Sequence, residues 1–333
     1  MRLSLVANCT LWQHAACSQN ADRTLTDRLG FARTSDVVWF LVLAAIWSSA
    51  FMFIKIGVAT IPPLTLAAGR LALAALLLWG YLLFSGAQIP LRASTWGAFA
   101  FIGFFGNALP FSLISWGEQY IDSSLAAILM GIMPVATVIL AHLSIPEEPF
   151  TTRRILGVLC GFGGLLVLVG WQALSGIGAG VIAELAVLGG ALSYAVTTVF
   201  TRKYVRETGR IMAAGATLAG TVWVLPLALW LEQPWTARPS AESLAAAVYL
   251  GVFPTAVATL LLFRLISAIG ATTFAQINYL IPLLGLGWGV VFLAEQPTVR
   301  AILALLLVLT GVALVNSARS PSSASNHSDI RVR

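Results

Sequence analysis

The chain has 333 residues, of which 59% are hydrophobic and only 10% are charged. A soluble domain carries about 25% charged residues, so this composition excludes an ordinary water-soluble protein and indicates a membrane protein. The net charge of +6 does not by itself indicate a nucleic-acid partner, because the placement of Lys and Arg sets the orientation of membrane spans.

The first 35 residues are polar and mixed, with no long apolar run. A signal peptide needs an apolar core of about 7–15 residues, and the stretch LSLVA is too short for one. We predict a disordered cytoplasmic extension over 1–35, although a start assigned too far upstream would look the same. The Ser-rich residues 318–333 are predicted to form a second disordered cytoplasmic tail.

Between these tails the chain contains ten apolar stretches, each close to the roughly 20 residues that a spanning helix needs. The stretches lie at 36–58, 63–84, 94–116, 121–143, 152–170, 178–200, 211–231, 241–264, 270–293 and 299–317. Short segments rich in Pro, Gly and Ser separate them, which predicts antiparallel helical hairpins. The predicted fold class is an all-α polytopic membrane protein with ten transmembrane helices.

The Lys and Arg residues predict the orientation. With the N-terminus in the cytoplasm, that side holds fifteen of them: Arg2, Arg23, Arg28, Arg33, Arg92, Arg153, Arg154, Arg202, Lys203, Arg206, Arg210, Arg264, Arg319, Arg331 and Arg333. The other side holds four, Lys55, Arg70, Arg238 and Arg300. Because cytoplasmic loops carry the excess of positive charge, both termini are predicted to be cytoplasmic.

An internal repeat runs through the apolar region. The segments 130–149 and 278–297 share residues at an offset of 148, namely Pro134 and Pro282, Glu147 and Glu295, and Pro149 and Pro297. GFFGNA at 103–108 aligns with GVFPTA at 251–256 in the same register. Spans one to five (36–170) are therefore repeated as spans six to ten (178–317). Five is odd, so the second copy enters the membrane from the opposite side, as in secondary transporters that bind substrate near the midplane between inverted halves.

The stretch WSSAFMFIKIGVATIPPLTLAAGRLALAALLL at 47–78 resembles the first two helices of the EamA-type ten-helix transporters. A proline-bearing helix followed by Glu and a short loop occurs twice, within 121–170 and 269–317. The chain thus resembles the drug/metabolite transporter superfamily over about 36–317. That resemblance implies export or exchange of small metabolites, amino acids among them, across a bacterial inner membrane.

Motifs for other activities are missing. No G-x-x-x-x-G-K-[ST] sequence surrounds either lysine, Lys55 or Lys203, so ATP hydrolysis is not predicted. His142 stands alone near the end of span four, and no H-E-x-x-H pair occurs. Cys9, Cys17 and Cys160 form no close C-x-x-C pair. We predict a secondary transporter with no cofactor and no metal, whose partners are a small-molecule substrate and the lipid bilayer but no nucleic acid. A passive channel or facilitator is the alternative, and an intramembrane enzyme a more remote one.

Charged residues at membrane depth are costly and are candidate functional groups. Arg70, about two turns into span two, either faces the substrate or snorkels and pairs structurally. Glu184, about two turns into span six, is the candidate proton carrier. Lys55, near the outer end of span one, either attracts an anionic group or snorkels to the interface, and snorkelling is the favoured expectation. Glu118 and Asp122 are expected to be solvated acids in the turn after span three.

Uncharged candidates for a substrate cavity lie in the central spans. Pro134 and Pro282 are expected in mid-helix, where each removes a hydrogen bond and frees a carbonyl. Amide, hydroxyl and aromatic side chains at or near these and the matched spans complete the predicted substrate-binding set, namely Trp47, Asn107, Tyr194, Thr255, Gln276, Asn278 and Tyr279. Such a cavity suits a zwitterionic or amphipathic small molecule.

Two further patterns concern packing. Glu147 and Glu295 each precede a proline and are expected to cap the helix that follows. The spacings Gly157/Gly161 and Gly285/Gly289 allow close helix contact, which predicts packing within the chain and leaves open a homodimer through span five.

Overall fold

The structure is a computed structural model that describes residues 33–87, 90, 92–145, 151–170, 178–205 and 209–317. Nearly all of the predicted N-terminal extension, the whole C-terminal tail and Glu147 lie outside the described residues. The part that is described contains helices and no strand, which confirms the predicted all-α polytopic class. Nine of these helices are long and apolar enough to cross a membrane, and a tenth apolar helix is shorter.

The ten helices follow the predicted order. They are α1 (Thr34–Gly57), α2 (Pro63–Phe84), α3 (Ala93–Gly117), α4 (Ser123–Ser144), α5 (Thr152–Val169), α6 (Ala179–Tyr204), α7 (Gly209–Glu232), α8 (Ala241–Ala271), α9 (Ile277–Leu293) and α10 (Val299–Asn316). The face of the bundle at which α1 begins is called the first face, and the opposite one the second face. Helix α1 begins at Thr34, slightly before the predicted boundary at residue 36.

Local sequence explains several helix starts. Pro63 occupies the first turn of α2, where its missing N–H is not needed and its fixed φ suits a helix. The hydroxyl of Thr151 accepts a hydrogen bond from the Arg154 N–H at the start of α5. The hydroxyl of Ser240 does the same for the Ser243 N–H at the start of α8. These caps satisfy N–H groups that the first helical turn leaves without partners.

The packing of the helices shows the inverted repeat directly. Helix α9 packs on α1 as α4 packs on α6, α8 packs on α1 as α3 packs on α6, and α8 packs on α2 as α3 packs on α7. In each of these three comparisons, one helix pair becomes the other when every helix is replaced by its counterpart in the other half, five helices along the chain. Five pairs are unchanged by that exchange, and three of them, α2 with α7, α4 with α9, and α5 with α10, are in close contact. The two five-helix halves are therefore related by a pseudo-two-fold axis, as the repeat predicts.

Matched π-helical turns support the same symmetry. A π-turn interrupts α3 at Phe104–Ala108 and another interrupts α8 at Gly251–Val257, at positions that the offset of 148 aligns. Such turns leave a carbonyl without its usual helical partner and are frequent at functional sites. Side-chain hydroxyls use these carbonyls: Ser193 of α6 donates to the Phe105 carbonyl, and Thr255 donates to the Leu250 carbonyl within α8.

The two proline-bearing helices α4 and α9 cross each other closely. A Cβ placed on Gly285 would lie 2.5 Å from the Cβ of Ala127, and one placed on Gly131 would lie 3.1 Å from Cγ of Pro282. Pro282 is inside its helix as expected. Pro134 is not in mid-helix, because α4 is interrupted at Gly131–Ile132 and Pro134 lies in the first turn of the segment that follows. Pro134 has no N–H for the carbonyl of Met130, so it lies where the regular hydrogen bonding of α4 is already broken.

The small-residue spacings act within the chain. A Cβ placed on Gly157 would lie 2.7 Å from the carbonyl oxygen of Gly311 in α10, and the reverse distance is also 2.7 Å. Gly161 contacts Ile132 and Val135 of α4. The glycines of α5 and α10 thus allow close approach of these two helices, which agrees with the first of the two interpretations, packing within the chain.

Candidate functional site

Arg70 joins the two repeats inside the bundle. Its side chain is 3% exposed, and its Nε and Nη2 donate to Oγ1 of Thr255 at 3.3 and 3.1 Å. The guanidinium lies over the ring of Phe111, 3.8 Å from the ring centroid. A desolvated cation over an aromatic face gains up to about 2 kcal/mol. The structure therefore brings together the predicted residues Arg70 and Thr255, and no carboxylate accepts a hydrogen bond from this guanidinium among the described residues.

The sequence of α8 explains why the hydroxyl oxygen of Thr255 can accept hydrogen bonds from Arg70. Pro254 has no N–H to offer the carbonyl of Leu250, four residues before it. The Thr255 hydroxyl donates to that carbonyl at 2.8 Å. With its hydrogen committed there, the hydroxyl oxygen is left to accept from the Arg70 guanidinium. A proline in one repeat thus orients the acceptor for an arginine of the other.

Tyr194 of α6 completes the group around the arginine. Its ring meets the ring of Phe111 edge-on, with the centroids 6.5 Å apart and the planes at 62°. Arg70, Phe111, Tyr194 and Thr255 come from α2, α3, α6 and α8, so both halves contribute. We call these four residues the arginine cluster. Phe111 is absent from the predicted set, and the only signal for it is its place beside Pro110 in the stretch that carries Asn107.

Glu118 is the largest correction to the predicted site. It directly follows α3 at the second face and is 0% exposed, whereas Asp122 in the same turn is exposed as expected. Neither carboxylate oxygen of Glu118 has a hydrogen-bond partner in the described part of the chain. The expectation of a solvated acid at Glu118 is wrong, because its side chain is buried at the end of α3 although Gln119 and Tyr120 beside it are exposed.

Lys55 is held against the same turn. Its Nζ donates to the carbonyl oxygens of Glu118 and Ile121, each at 2.7 Å. The carbonyls at a helix C-terminus have no intrahelical partners and carry partial negative charge, so an ammonium group is well placed there. Lys55 therefore binds backbone at the end of α3, where snorkelling to the membrane surface was expected.

Burial raises the pKa of the Glu118 carboxyl well above its usual range. The positive charge of Lys55 acts in the opposite direction, the negative charge of Glu295 raises the pKa further, and Arg70 lowers it. A carboxyl that is desolvated and has no hydrogen-bond donor favours its neutral form.

Glu295 follows α9 and caps a helix of the other repeat. Its Oε1 accepts from the N–H and hydroxyl of Ser123, each at 2.8 Å, and its Oε2 accepts from the Ser124 N–H at 2.9 Å. The expectation that it caps the following helix, α10, is wrong. Burial alone would raise the pKa of Glu295, but the hydrogen bonds from Ser124 and Ser123 lower it overall.

Glu232, at the end of α7, makes the equivalent contact with α2. It accepts hydrogen bonds from the Leu64 N–H at 2.9 Å and from the Thr65 N–H and hydroxyl, each at 2.7 Å. At the second face two helix N-termini are thus capped by carboxylates from distant parts of the chain. Negative charge at a helix N-terminus is stabilising.

Glu184, the predicted proton carrier, lies in α6 and is 1% exposed. Its Oε2 has no hydrogen-bond partner among the described residues. The neighbouring Ala183 and Val187 pack against Gly117 at the end of α3. Glu184 is thus a second buried carboxyl on the helix that packs beside the turn holding Glu118.

The remaining predicted residues do not converge on the arginine cluster. Trp47 meets Phe274 edge-on at 6.1 Å, and Asn107 faces Gly220 of α7. Gln276 is exposed just before α9. The Asn278 amide donates to the Ala275 carbonyl at 3.0 Å.

Tyr279 is committed to α10. Its hydroxyl donates to the Val312 carbonyl at 3.1 Å and accepts from the Asn316 amide at 3.2 Å. Asn278 therefore binds the turn before α9 and Tyr279 binds the neighbouring α10, while Gln276 is exposed. They form a separate group near the first face.

Two inverted five-helix halves, with a buried arginine bridging them, define a polytopic membrane transporter. The chain belongs to the EamA-like transporter family, whose sequence profile matches residues 34–170 and again residues 181–317. The two matches coincide with the two structural halves. Membership confirms the family suggested by the sequence, and also the prediction of a transporter over an enzyme.

Similar proteins agree with this assignment. The chain is 30% identical over 294 residues to a probable terminal-alkyne amino-acid exporter of Streptantibioticus cattleyicolor, covering 85% of this chain and 94% of the relative. It is 30% identical over 254 residues to the uncharacterized inner membrane transporter YedA of Escherichia coli K12, covering 74% and 80%. The uncharacterized transporter YoaV of Bacillus subtilis is 25% identical over 268 residues, covering 80% and 91%.

A solved crystal structure has the same fold. It superposes with a TM-score of 0.60 and 21% identity, and the match covers 85% of this chain and 96% of that chain. At this identity the likeness concerns the fold alone. The chain is therefore a multi-pass membrane transporter whose substrate has to be argued from its own residues.

Proposed function

We propose that the protein exports or exchanges small zwitterionic or amphipathic metabolites, amino acids foremost, by alternating access across a bacterial inner membrane. The observation that carries the proposal is the guanidinium of Arg70, held between the repeats by a neutral hydroxyl and an aromatic ring. A charged side chain inside a membrane is costly without a partner. A substrate carboxylate supplies that partner, and a bidentate pair with arginine also fixes its orientation.

The relative named as a probable terminal-alkyne amino-acid exporter supports the substrate class. Its name describes a molecule with one carboxylate, one ammonium group and an apolar side chain. The arginine cluster offers a cation for the first and the rings of Phe111 and Tyr194 for the apolar part. Among the described residues no other charged side chain is hydrogen-bonded into the cluster, which agrees with a small substrate of low net charge.

The position of the cluster supports alternating access. Arg70 belongs to the first half and Thr255 to the second, so rocking of one half against the other separates them. The predicted contacts Trp47, Asn107, Pro134, Gln276, Asn278, Tyr279 and Pro282 remain proposals within this mechanism. None of them is hydrogen-bonded to Arg70 among the described residues, and we assign them to a state in which the first face is open.

Orientation and assembly are part of the proposal. The Lys and Arg asymmetry supports cytoplasmic N- and C-termini, which makes the first face cytoplasmic. A homodimer is retained as a proposal, although Gly157 and Gly161 of α5 are used for packing within the chain. Glu184 is retained as a candidate proton carrier.

Counterflow in proteoliposomes tests the proposed activity. Liposomes preloaded with a mixture of unlabelled protein amino acids are diluted into a radiolabelled sample of the same mixture, and a second set uses a terminal-alkyne amino acid. A transporter accumulates label transiently and saturates with concentration. Flux that is linear in concentration and is not stimulated by internal substrate would instead establish the alternative, a passive channel or facilitator.

A further inference from the structure

The turn between α3 and α4 contains a buried acid that the proposed substrate site does not use. Glu118 is 0% exposed, and both of its carboxylate oxygens lack hydrogen-bond partners in the described structure. The buried Arg70 binds Thr255 and Phe111 instead of this carboxyl. A buried polar group without partners costs several kcal/mol when it is charged, so its presence needs a functional explanation.

The helices around the turn that holds Glu118 carry several charged and titratable groups. Lys55 comes from α1 and Arg70 from α2, and Glu295 comes from the segment after α9. Helix α6 contributes Glu184 and Tyr194, and the turn itself holds the exposed Asp122. The Lys55 ammonium is bound to the same residue, because it donates a hydrogen bond to the backbone carbonyl of Glu118 at 2.7 Å.

Two kinds of ligand could neutralise the buried carboxylate of Glu118: a proton or an organic cation. An organic cation would have to enter a position that is closed to solvent and would meet the Lys55 ammonium, whose charge repels it. A proton needs no such space and removes the cost of the buried negative charge. The geometry therefore favours the proton.

We propose that Glu118 is a proton-exchange site that couples transport to the proton gradient, with Lys55 as its countercharge; the coupling rests on the proposed transport function. In the described conformation Glu118 is a neutral acid and Lys55 binds the carbonyls at the end of α3. When the halves rock and water reaches the turn, the carboxyl O–H bond breaks and its proton passes to water. The resulting carboxylate then pairs with the Lys55 ammonium, which is already tethered at the same residue.

Infrared spectroscopy of the reconstituted protein tests the proton site without any substrate. We expect a protonated-carboxyl C=O band near neutral pH that is lost in Glu118→Gln and is kept in the matched control Asp122→Asn. Glu184→Gln separates the contribution of the second buried acid. A wild-type spectrum that Glu118→Gln leaves unchanged overturns the proposal.

A second variant keeps the proposal testable if Glu118→Gln does not fold. Lys55→Gln removes the positive charge that favours the carboxylate, so the same band should persist to higher pH than in the wild-type protein. An unchanged or lower midpoint contradicts the role of Lys55 as countercharge.

Transport measurements test the coupling. With a radiolabelled mixture of the protein amino acids, Glu118→Gln should keep counterflow at equal pH and lose stimulation by a pH gradient, while Asp122→Asn keeps both. Stimulation that survives in Glu118→Gln, or loss of both activities in a folded Glu118→Gln protein, overturns the proposal; the second result would make Glu118 a ligand of the substrate. If the wild-type protein shows the infrared band of Glu118 but transports no amino acid, the proposed substrate class is contradicted. The proton site itself would then still be supported by the band.

Discussion

Arg70 and Thr255 are 185 positions apart in the chain and belong to opposite halves, yet the guanidinium of one donates to the hydroxyl of the other at 3.1 and 3.3 Å. Both residues are buried, with Arg70 3% and Thr255 5% exposed. The contact places a buried cation at the boundary that alternating access must move. Its two residues therefore offer the most direct test of the proposed substrate site.

We predict that Arg70→Lys and Arg70→Gln both impair transport. A hydrogen bond to a charged group contributes about 1.5–3 kcal/mol, so the half-saturation concentration should rise roughly tenfold to a hundredfold. Lysine retains the charge but lacks the planar fork that pairs with a carboxylate and stacks on a ring. The assay is concentration-dependent counterflow, and the exposed Arg238→Gln is the matched control. Wild-type saturation in Arg70→Gln would remove the carboxylate site from the arginine cluster.

The polar group before Pro282 is tested by the double change Gln276→Leu and Asn278→Leu. Gln276 is exposed and Asn278 bonds only the nearby Ala275 carbonyl, so the fold should tolerate both changes. If these side chains contact substrate in another state of the cycle, transport is abolished at normal membrane expression. Full transport by the double variant would confine binding to the arginine cluster and leave Gln276 and Asn278 as structural groups.

Glu295 is predicted to stabilise the junction between the halves in a pH-dependent way. Charged caps at partly buried helix N-termini contribute about 1 kcal/mol, so Glu295→Gln should lower the melting temperature in detergent. Because the pKa of Glu295 is depressed in the folded state, its stabilisation is present above the unfolded pKa and is lost as the pH falls through the folded pKa. Acid titration of thermal stability should therefore affect the wild-type protein more than Glu295→Gln, and equal acid sensitivity would argue against the cap.

The close approach of α5 and α10 should not tolerate a larger side chain at Gly311. A Cβ there would lie 2.7 Å from the Gly157 carbonyl oxygen, and overpacking typically costs about 1–3 kcal/mol. We expect Gly311→Val to lower stability in detergent by roughly this amount. Gly163→Ala is the control, since a Cβ there meets nothing within 4 Å and alanine favours a helix by roughly 0.5–1 kcal/mol. Equal stabilities of the two variants would contradict the contact.

The orientation is predicted from charge alone and is tested with a reporter that is active only in the periplasm. Fused after Asn316, it should be silent, because the C-terminus is predicted to be cytoplasmic. The same reporter inserted after Arg238, between α7 and α8, should be active. The opposite pair of results would reverse the assignment of the two faces.

Sequence by itself determined the class, the helices and the inverted repeat. Apolar runs long enough to span a bilayer leave little choice of structure, because every backbone polar group has to be bonded inside the membrane. The odd number of spans in each copy then dictates their opposite directions. Arg70 and Thr255 could also be selected from the sequence. A charged residue within an apolar span is unusual, and so is a hydroxyl residue directly after a proline in such a span.

Only the tertiary structure decided which residues meet. Phe111 is one aromatic residue among many, and its position under Arg70 depends on how α2 packs against α3. Glu118 and Asp122 are equivalent by sequence, both acids in one short turn, yet Glu118 is fully buried and Asp122 is exposed. Contacts across the pseudo-two-fold axis decide which acid of the turn is buried. They also decide which helix N-terminus Glu295 caps. Those contacts join residues far apart in the chain, so no local pattern encodes them.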